Sequence, residues 1–229
     1  APGPLKDARL TPRIAETARG LWTVYFALSA ACLLAYRWAG MSWADAFMHM
    51  CSTMGLGGFS SHDASYGYWD SPLIEGVAMV FMTLAGISFA RYFIAWRNRS
   101  AHSVIQDAEV RAYVFILLGA VLLLSLLLTY HGVYATFSQS LRAAAFQVVS
   151  LATTTGYAST DYATWPVFAP VLLIFLGCFV SCAGSTGGGI KMVRMLVLVK
   201  QARRELVRII HPRVINPVTL GGASVPSSV

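Results

Sequence analysis

Two short uncharged segments have the residue types of a backbone ion site. The first loop is STMGLGGFSS, residues 52–61, and the second loop is SLATTTGYAS, residues 150–159. Glycine adopts positive φ at little steric cost, so successive carbonyls can face one axis. Carbonyl oxygens arranged in this way can replace the hydration shell of a cation. Neither loop contains a carboxylate, which favours a monovalent over a divalent ion.

The two loops belong to an internal repeat. One offset of 98 residues aligns their small residues and a following aspartate, and the pairs are Ser52 with Ser150, Gly58 with Gly156, and Asp63 with Asp161. Each loop follows a segment that can form a short helix and precedes an apolar segment. The repeats have the same direction, whereas inverted repeats are typical of many alternating-access transporters. Parallel repeats instead indicate units around an axis along the membrane normal.

Four apolar segments flank the loops and are long enough to cross a membrane. The 229-residue chain is 56% hydrophobic and only 12% charged, whereas soluble domains are about 25% charged. A spanning helix needs about 20 apolar residues. The segments lie near residues 21–39, 73–96, 112–130 and 167–199. The first three predict one crossing each, and the fourth is longer and interrupted by SCAGSTGGGIK.

The basic residues predict the orientation of these spans. The net charge is +7, and most Lys and Arg residues precede the first span, lie between the second and third, or follow the glycine-rich interruption. The positive-inside rule then places both termini and the middle connection in the cytoplasm. Both loops must enter the membrane from the outside. The positive charge is therefore interpreted as a topology signal, and we expect no nucleic-acid partner.

These patterns predict an all-α integral membrane protein. Its parallel repeats each consist of a transmembrane helix, a pore helix, a filter loop and a second transmembrane helix, as in potassium channels. The expected parts are a cytoplasmic N-terminal segment (1–20), a first repeat (21–99), a cytoplasmic linker (100–111), a second repeat with a broken last helix (112–200) and a cytoplasmic basic tail (201–229). We expect the basic tail to form an amphipathic surface helix.

The glycine run, AGSTGGGIK at residues 183–191, predicts a break in the last span. Each glycine costs about 1 kcal/mol in a helix interior relative to alanine. A flexible segment at the inner end of a pore could obstruct it, so the run is a candidate gate. A packing kink is the alternative. An intramembrane nucleophile at Ser185 would need a matched histidine, and the sequence offers none at the same predicted depth.

Three stretches resemble the TrkH/TrkG branch of bacterial potassium uptake proteins. They are STMGLGGFSSHDASYGYWDSP, FQVVSLATTTGYASTDYATWP and CAGSTGGGIKMVRMLVLVKQARRELVRIIHP. The resemblance extends over nearly the whole chain. It implies four span–pore–span repeats around one potassium pore in the bacterial inner membrane. It also implies a cytoplasmic nucleotide-binding regulatory subunit similar to TrkA, a homodimer of the full-length protein, and no organic cofactor.

The resemblance also implies roles for individual residues. The filter residues that would coordinate K⁺ are Leu56, Gly57, Gly58, Thr154, Thr155 and Gly156. The gate residues are Gly184, Ser185, Thr186, Gly187, Gly188, Gly189 and Lys191. In these roles the backbone carbonyls of the loops hold the ion, and the Gly-rich segment 183–190 closes the path below them.

The chain departs from that family in its length. It holds two repeats, which resemble the second and third of four, and two loops cannot surround an ion. We therefore expect a fragment of a four-repeat protein, with a two-repeat homodimer as the alternative. A cation-coupled secondary transporter with ion sites at broken helices is the second functional hypothesis. An enzyme is not expected.

Overall fold

The computed structural model describes residues 14–100, 102–210, 219–220 and 223–224 of the chain. The nine α-helices in this part are α1 Ile14–Trp38, α2 Trp43–Gly55, α3 Pro72–Ala85, α4 Phe89–Arg97, α5 His102–Ile105, α6 Ala108–Tyr130, α7 Phe137–Ala152, α8 Phe168–Gly177 and α9 Met192–Ile210. Two short 3-10 helices, Ser65–Tyr68 and Tyr162–Thr164, follow the two loops. The strands Thr219–Leu220 and Ala223–Ser224 form a short antiparallel pair. Most of the expected N-terminal segment and part of the basic tail lie outside the described residues.

Two of these helices are long and apolar enough to cross a membrane by themselves. They are Ala18–Trp38, within α1, and Ala108–Tyr130, which is α6. The helices α3 and α4 count as a third span only if they are taken together, because they meet at an angle of 84°. The expected all-α integral membrane fold is thus confirmed, but the second apolar segment is not the single straight crossing that its composition suggests.

The break between α3 and α4 has a local cause. A Cβ atom on Gly86 would lie 2.4 Å from the Tyr113 hydroxyl oxygen, so α6 approaches the backbone there. The Tyr113 hydroxyl also donates to the carbonyl of Thr83 (3.1 Å). The Tyr92 hydroxyl, from α4, donates to the carbonyl of Leu84 (2.8 Å). Side chains from α6 and α4 therefore satisfy carbonyls in the last turn of α3.

The short helices before the two loops begin at strong N-caps. The Ser42 hydroxyl accepts from the backbone N–H of Asp45 at the start of α2. Thr136 and Gln139 form a capping box at the start of α7, which satisfies two otherwise unpaired groups. At 13 and 16 residues, both helices are shorter than the roughly 20 residues that a crossing requires. They therefore have the length expected of pore helices.

A buried ion pair joins the two repeats near the N-terminal ends of α3 and α7. Arg142, on α7, donates through Nε to Glu75 Oε2 on α3 (2.8 Å) and through Nη2 to Glu75 Oε1 (2.8 Å). Its Nη2 also contacts Asp70 Oδ1 at 2.8 Å. Glu75 is 3% exposed, and this two-point pairing satisfies its charge. The contact fixes the second short helix against the first repeat.

The last helix starts where the glycine run ends. The predicted amphipathic helix is present, but it is continuous from Met192 to Ile210 and so extends across the expected boundary at residue 200. Its exposed apolar side chains include Leu206 and Ile209, interspersed with arginines. Only the short α8 remains as the apolar part of the fourth segment.

Candidate functional site

The two loops have the same unusual backbone conformation at equivalent positions. Leu56 and Thr154 have φ angles of 50° and 63°, and Gly58 and Gly156 have φ angles of 72° and 90°. Both pairs are separated by the 98-residue offset of the repeat. A non-glycine residue in this region is costly and persists only where the surrounding structure enforces it. The duplication therefore preserves a backbone path as well as residue types.

The hydrogen bonds that end both short helices are also equivalent. The N–H of Gly57 donates to the carbonyl of Ser52 at 2.8 Å, and the N–H of Thr155 donates to Ser150 at 2.8 Å. In each helix the preceding residue makes the second bond of a Schellman motif, which spans three residues: the N–H of Leu56 donates to the carbonyl of Thr53, and that of Thr154 to Leu151. This motif satisfies the last carbonyls of the helix while the chain reverses into αL geometry.

The first and second loops contact each other through backbone atoms. A Cβ atom on Gly58 would lie 2.0 Å from the carbonyl oxygen of Thr155, whereas one on Gly156 would have no heavy atom within 4 Å. Gly58 is therefore required both by its φ angle and by the approach of the second loop. Gly156 is required by its φ angle alone. The structure thus brings together three of the six predicted filter positions directly, Gly58, Thr155 and Gly156.

The side chains of the second loop turn into the protein. The hydroxyl groups of Thr153 and Thr155 lie 2.7 Å apart, and Thr155 is 4% exposed. The Thr153 hydroxyl also contacts the carbonyl of Val149 (2.7 Å). In the first loop the Leu56 side chain is 5% exposed and apolar. With these side chains occupied or apolar, backbone carbonyls are the groups left to contact an ion.

The glycine run lies directly beside both helix ends. It falls in the non-helical stretch 178–191 between α8 and α9. The N–H of Gly188 donates to the hydroxyl of Thr154 in the second loop (2.7 Å). The Thr186 hydroxyl donates to the carbonyl of Met54 in the last turn of α2 (2.9 Å). One segment of the second repeat therefore contacts the C-terminal ends of the short helices from both repeats.

The glycine run is folded back on itself. The N–H of Ile190 donates to the carbonyl of Cys178 (2.7 Å), and a Cβ atom on Gly189 would lie 2.7 Å from that same oxygen. Lys191 Nζ donates to the carbonyl of Gly187. The Ser181 hydroxyl donates to the carbonyl of Gly188 (3.2 Å). These contacts define a compact closed segment, which explains the need for glycine.

Sequence reasoning missed Glu109, which holds both ends of the glycine run. Its Oε1 atom accepts the N–H of Ala183 (2.7 Å) and the N–H of Val193 (3.1 Å). The preceding N-cap, Asp107, forms an ion pair with Arg91 on α4 (2.5 Å). An acidic residue in the first turn of a helix is common because it complements the helix dipole. The position of Glu109 in the sequence therefore gave no sign that it contacts the glycine run.

The glycine run also contacts the break between α3 and α4. The N–H of Phe89 donates to the carbonyl of Gly184 (3.1 Å), and the N–H of Cys182 donates to the carbonyl of Gly86 (3.1 Å). Backbone groups freed by the helix break are therefore satisfied by the other repeat. This meets the requirement that polar backbone groups at membrane depth find partners within the protein.

The alternative role for Ser185 finds no support in its contacts. Its hydroxyl donates to the carbonyl of Cys182 at 2.6 Å, so it stabilises a turn within the run. Within the described ranges, no three His, Cys, Asp or Glu side chains come together as a metal site. The chemistry of the region thus lies in its backbone groups and hydroxyls.

At its C-terminal end the first loop is tied to the start of α2 by Asp45. The Ser61 hydroxyl donates to Asp45 Oδ1 (2.7 Å), and the Ser42 hydroxyl donates to Oδ2 (2.7 Å). These hydrogen bonds lower the pKa of Asp45 below its ordinary value, the bond from Ser42 contributing most. The carboxylate therefore stays ionised and fixes the exit of the loop.

Comparison with known proteins places these features in a family. The chain matches the family model TrkH, "Cation transport protein", over residues 1–229. It is 47% identical over 229 residues to the Trk system potassium uptake protein TrkH of Halomonas elongata, with all of this chain and 47% of that protein aligned. It is 40% identical over 228 residues to TrkG of Escherichia coli K12, again over 47% of the relative.

A solved structure shows the same arrangement. The crystal structure of the potassium transporter TrkH from Vibrio parahaemolyticus superposes with a TM-score of 0.91 at 43% identity, over 97% of this chain and 48% of the other. The chain thus spans about half the length of these relatives. The relatives are named as transport proteins and not as enzymes. Family model, relatives and fold agree with the resemblance carried by the loop motifs, and the chain belongs to the TrkH family of cation transport proteins.

Proposed function

We propose that this chain supplies two walls of a potassium-selective pore in the bacterial inner membrane. The observation that carries the proposal is the matched αL geometry of the two loops at the ends of two short helices. The C-terminal end of a helix carries a partial negative charge, which favours a cation near both loops. The relatives are named as potassium uptake proteins, which identifies K⁺ as the proposed ion.

In this proposal the carbonyls at the six predicted filter positions coordinate K⁺. These positions are Leu56, Gly57, Gly58, Thr154, Thr155 and Gly156. Two loops form only part of a coordination shell, so the remaining walls come from further repeats in a protein of the relatives' full length, itself assembled as a homodimer. A cytoplasmic nucleotide-binding subunit similar to TrkA regulates that assembly.

The glycine run is the proposed gate. Its hydrogen bonds to Met54 and Thr154 hold it against the C-terminal ends of both short helices, which face the cytoplasm in the proposed orientation. A segment in that position obstructs a path that leaves the loops toward the cytoplasm. Displacing the glycine run breaks a small number of specific hydrogen bonds. A segment held in this way can switch between a closed and an open position.

The bent pair α3–α4 favours a second candidate function, a cation-coupled secondary transporter. Broken helices form ion sites in many such transporters. The two functions differ in their flux. A pore conducts K⁺ down its gradient without a second ion, whereas a coupled transporter requires the gradient of its partner ion and saturates at low turnover.

The test uses the full-length protein containing these repeats, reconstituted in lipid vesicles. Gly156→Ser should lower the permeability of K⁺ relative to Na⁺, because serine disfavours the φ angle of 90° at this position. Gly132→Ser is the matched control, since Gly132 also has a positive φ angle of 64° and open space around it but lies in the turn after α6. An unchanged permeability ratio in Gly156→Ser would contradict the filter assignment.

A further inference from the structure

Four buried hydroxyl groups form a connected cluster behind the two loops. The Tyr36 hydroxyl lies 2.7 Å from the Thr53 hydroxyl and 2.7 Å from the Tyr66 hydroxyl. The Thr53 hydroxyl lies 3.1 Å from the Tyr157 hydroxyl. All four side chains are at most 1% exposed. We call these residues the hydroxyl cluster.

The hydroxyl cluster connects the first repeat to the second loop. Three members of the cluster belong to the first repeat. Tyr36 lies on α1, Thr53 on α2, and Tyr66 on the 3-10 helix Ser65–Tyr68 after the first loop. Tyr157 belongs to the second loop and directly follows Gly156. The connection therefore joins groups 104 positions apart in the chain.

Backbone contacts hold the same part of the second loop. The Ser150 hydroxyl donates to the carbonyl of Tyr157 (2.6 Å). The N–H of Tyr66 donates to the carbonyl of Ala158 (2.9 Å), and the N–H of Ala158 contacts the Ser65 hydroxyl at 3.3 Å. Tyr157 is thus held at its backbone and at the tip of its ring. Its position fixes the orientation of the adjacent Gly156 peptide.

The equivalent residue of the first loop is held differently. The repeat offset pairs Tyr157 with Phe59, which has no hydroxyl group and is 80% exposed. The two loops therefore share a backbone conformation, but of these two equivalent residues only Tyr157 has a hydroxyl group that bonds the other repeat.

We propose that the residues of the hydroxyl cluster are positioning residues for ion selectivity, and this inference rests on the proposed function of the loops. They hold Gly156 and its neighbours at a fixed distance from α2. In the snug-fit account of ion selectivity, discrimination between K⁺ and Na⁺ depends on the spacing of the coordinating carbonyls. A loop freed from its hydroxyl contacts can contract around the smaller ion, so Na⁺ gains relative to K⁺.

The structure predicts that the four hydroxyls are not interchangeable. Tyr36 has two hydroxyl partners in the cluster, so its loss removes the two shortest contacts, to Thr53 and Tyr66. Tyr157 directly follows Gly156 in the chain, and its loss leaves Thr53 still bonded to Tyr36. Tyr157→Phe should therefore change selectivity with the smaller effect on stability, whereas Tyr36→Phe should reduce both.

The experiment measures K⁺ and Na⁺ permeability of the full-length protein in vesicles. The variants are Tyr157→Phe and Tyr36→Phe, which keep the ring and remove only the hydroxyl. Tyr113→Phe is the matched control, because Tyr113 is equally buried and its hydroxyl bonds a carbonyl of α3 away from the loops. The net contribution of one hydrogen bond changes an equilibrium constant by a factor of roughly two to ten. We expect the K⁺/Na⁺ permeability ratio to fall by roughly that factor in both cluster variants.

The outcomes separate this inference from the proposed function. A lower ratio in the cluster variants, with retained K⁺ flux and an unchanged ratio in Tyr113→Phe, supports it. A wild-type ratio in both cluster variants, or an equal fall in all three, overturns it while leaving the pore intact. If the less stable Tyr36→Phe does not reach the membrane, the ratio of Tyr157→Phe decides alone. A wild-type protein without K⁺ flux overturns the proposed function, and this inference with it.

Discussion

Replacing Glu109 by alanine is expected to increase ion flux through the full-length protein. The carboxylate accepts backbone N–H groups at both ends of the glycine run, from Ala183 and Val193. Alanine offers no acceptor in their place. The run then keeps its contacts with Met54 and Thr154 but loses the anchor that holds its two ends together.

The size of the effect follows from these two bonds. A hydrogen bond to a charged group contributes about 1.5–3 kcal/mol net, so losing both destabilises the closed run by about 3 kcal/mol or more. Since about 1.4 kcal/mol is a factor of ten, the ratio of open to closed run should rise by roughly two orders of magnitude. The observed flux rises until another step limits it.

The assay is ⁸⁶Rb⁺ or K⁺ uptake into vesicles at matched protein density. Glu109→Gln keeps an acceptor oxygen without the charge and should give an intermediate flux. Glu205→Ala removes an acidic residue from the exposed face of α9, where it contacts Gln201, and should behave as wild type. Flux in Glu109→Ala at or below the wild-type value would refute the proposed anchoring of the gate.

Two further predictions concern the loops themselves. Gly58→Ala should lower the melting temperature of the full-length protein more than Gly156→Ala, because only the first new methyl group meets a backbone carbonyl; equal shifts would contradict this close approach. Asp45→Asn should reduce thermal stability at pH 7, because hydrogen bonds lower the pKa of the native carboxylate. This difference should be complete above the unfolded pKa of about 3.9 and disappear as the pH falls through the lower native value; a difference that persists there would exclude ionisation as its cause.

The sequence was sufficient to predict the loops because their signal is local and duplicated. Thr, Gly and Ser residues at one constant offset indicated both the repeat and the reversal of the chain after each short helix. The positive φ angles of Gly58 and Gly156 follow from residue type. Those of Leu56 and Thr154 do not, because a branched or bulky residue gives no sign of αL geometry in a sequence.

The contacts between repeats could not be predicted in the same way. The pairing of Arg142 with Glu75 joins residues 67 positions apart, and Glu109 reaches Ala183 across 74 positions. Each residue has an ordinary explanation on its own helix. The bend between α3 and α4 was also hidden, because the apolar composition of residues 73–96 is that of a continuous span, and the approach of Tyr113 to Gly86 depends on tertiary packing.

The bend between α3 and α4 gives the molecule an alternative set of hydrogen bonds. At present the N–H of Phe89 and the carbonyl of Gly86 are paired with the segment that carries the glycine run. If that segment moved away, both groups would be unsatisfied at membrane depth, which is costly. Straightening the bent pair would give Phe89 the carbonyl of Ala85, and Gly86 the N–H of Ala90, in ordinary helical i to i−4 bonds. If the glycine run is the proposed gate, the second span can thus exchange partners when the run leaves, and its displacement would lengthen a helix of the neighbouring repeat.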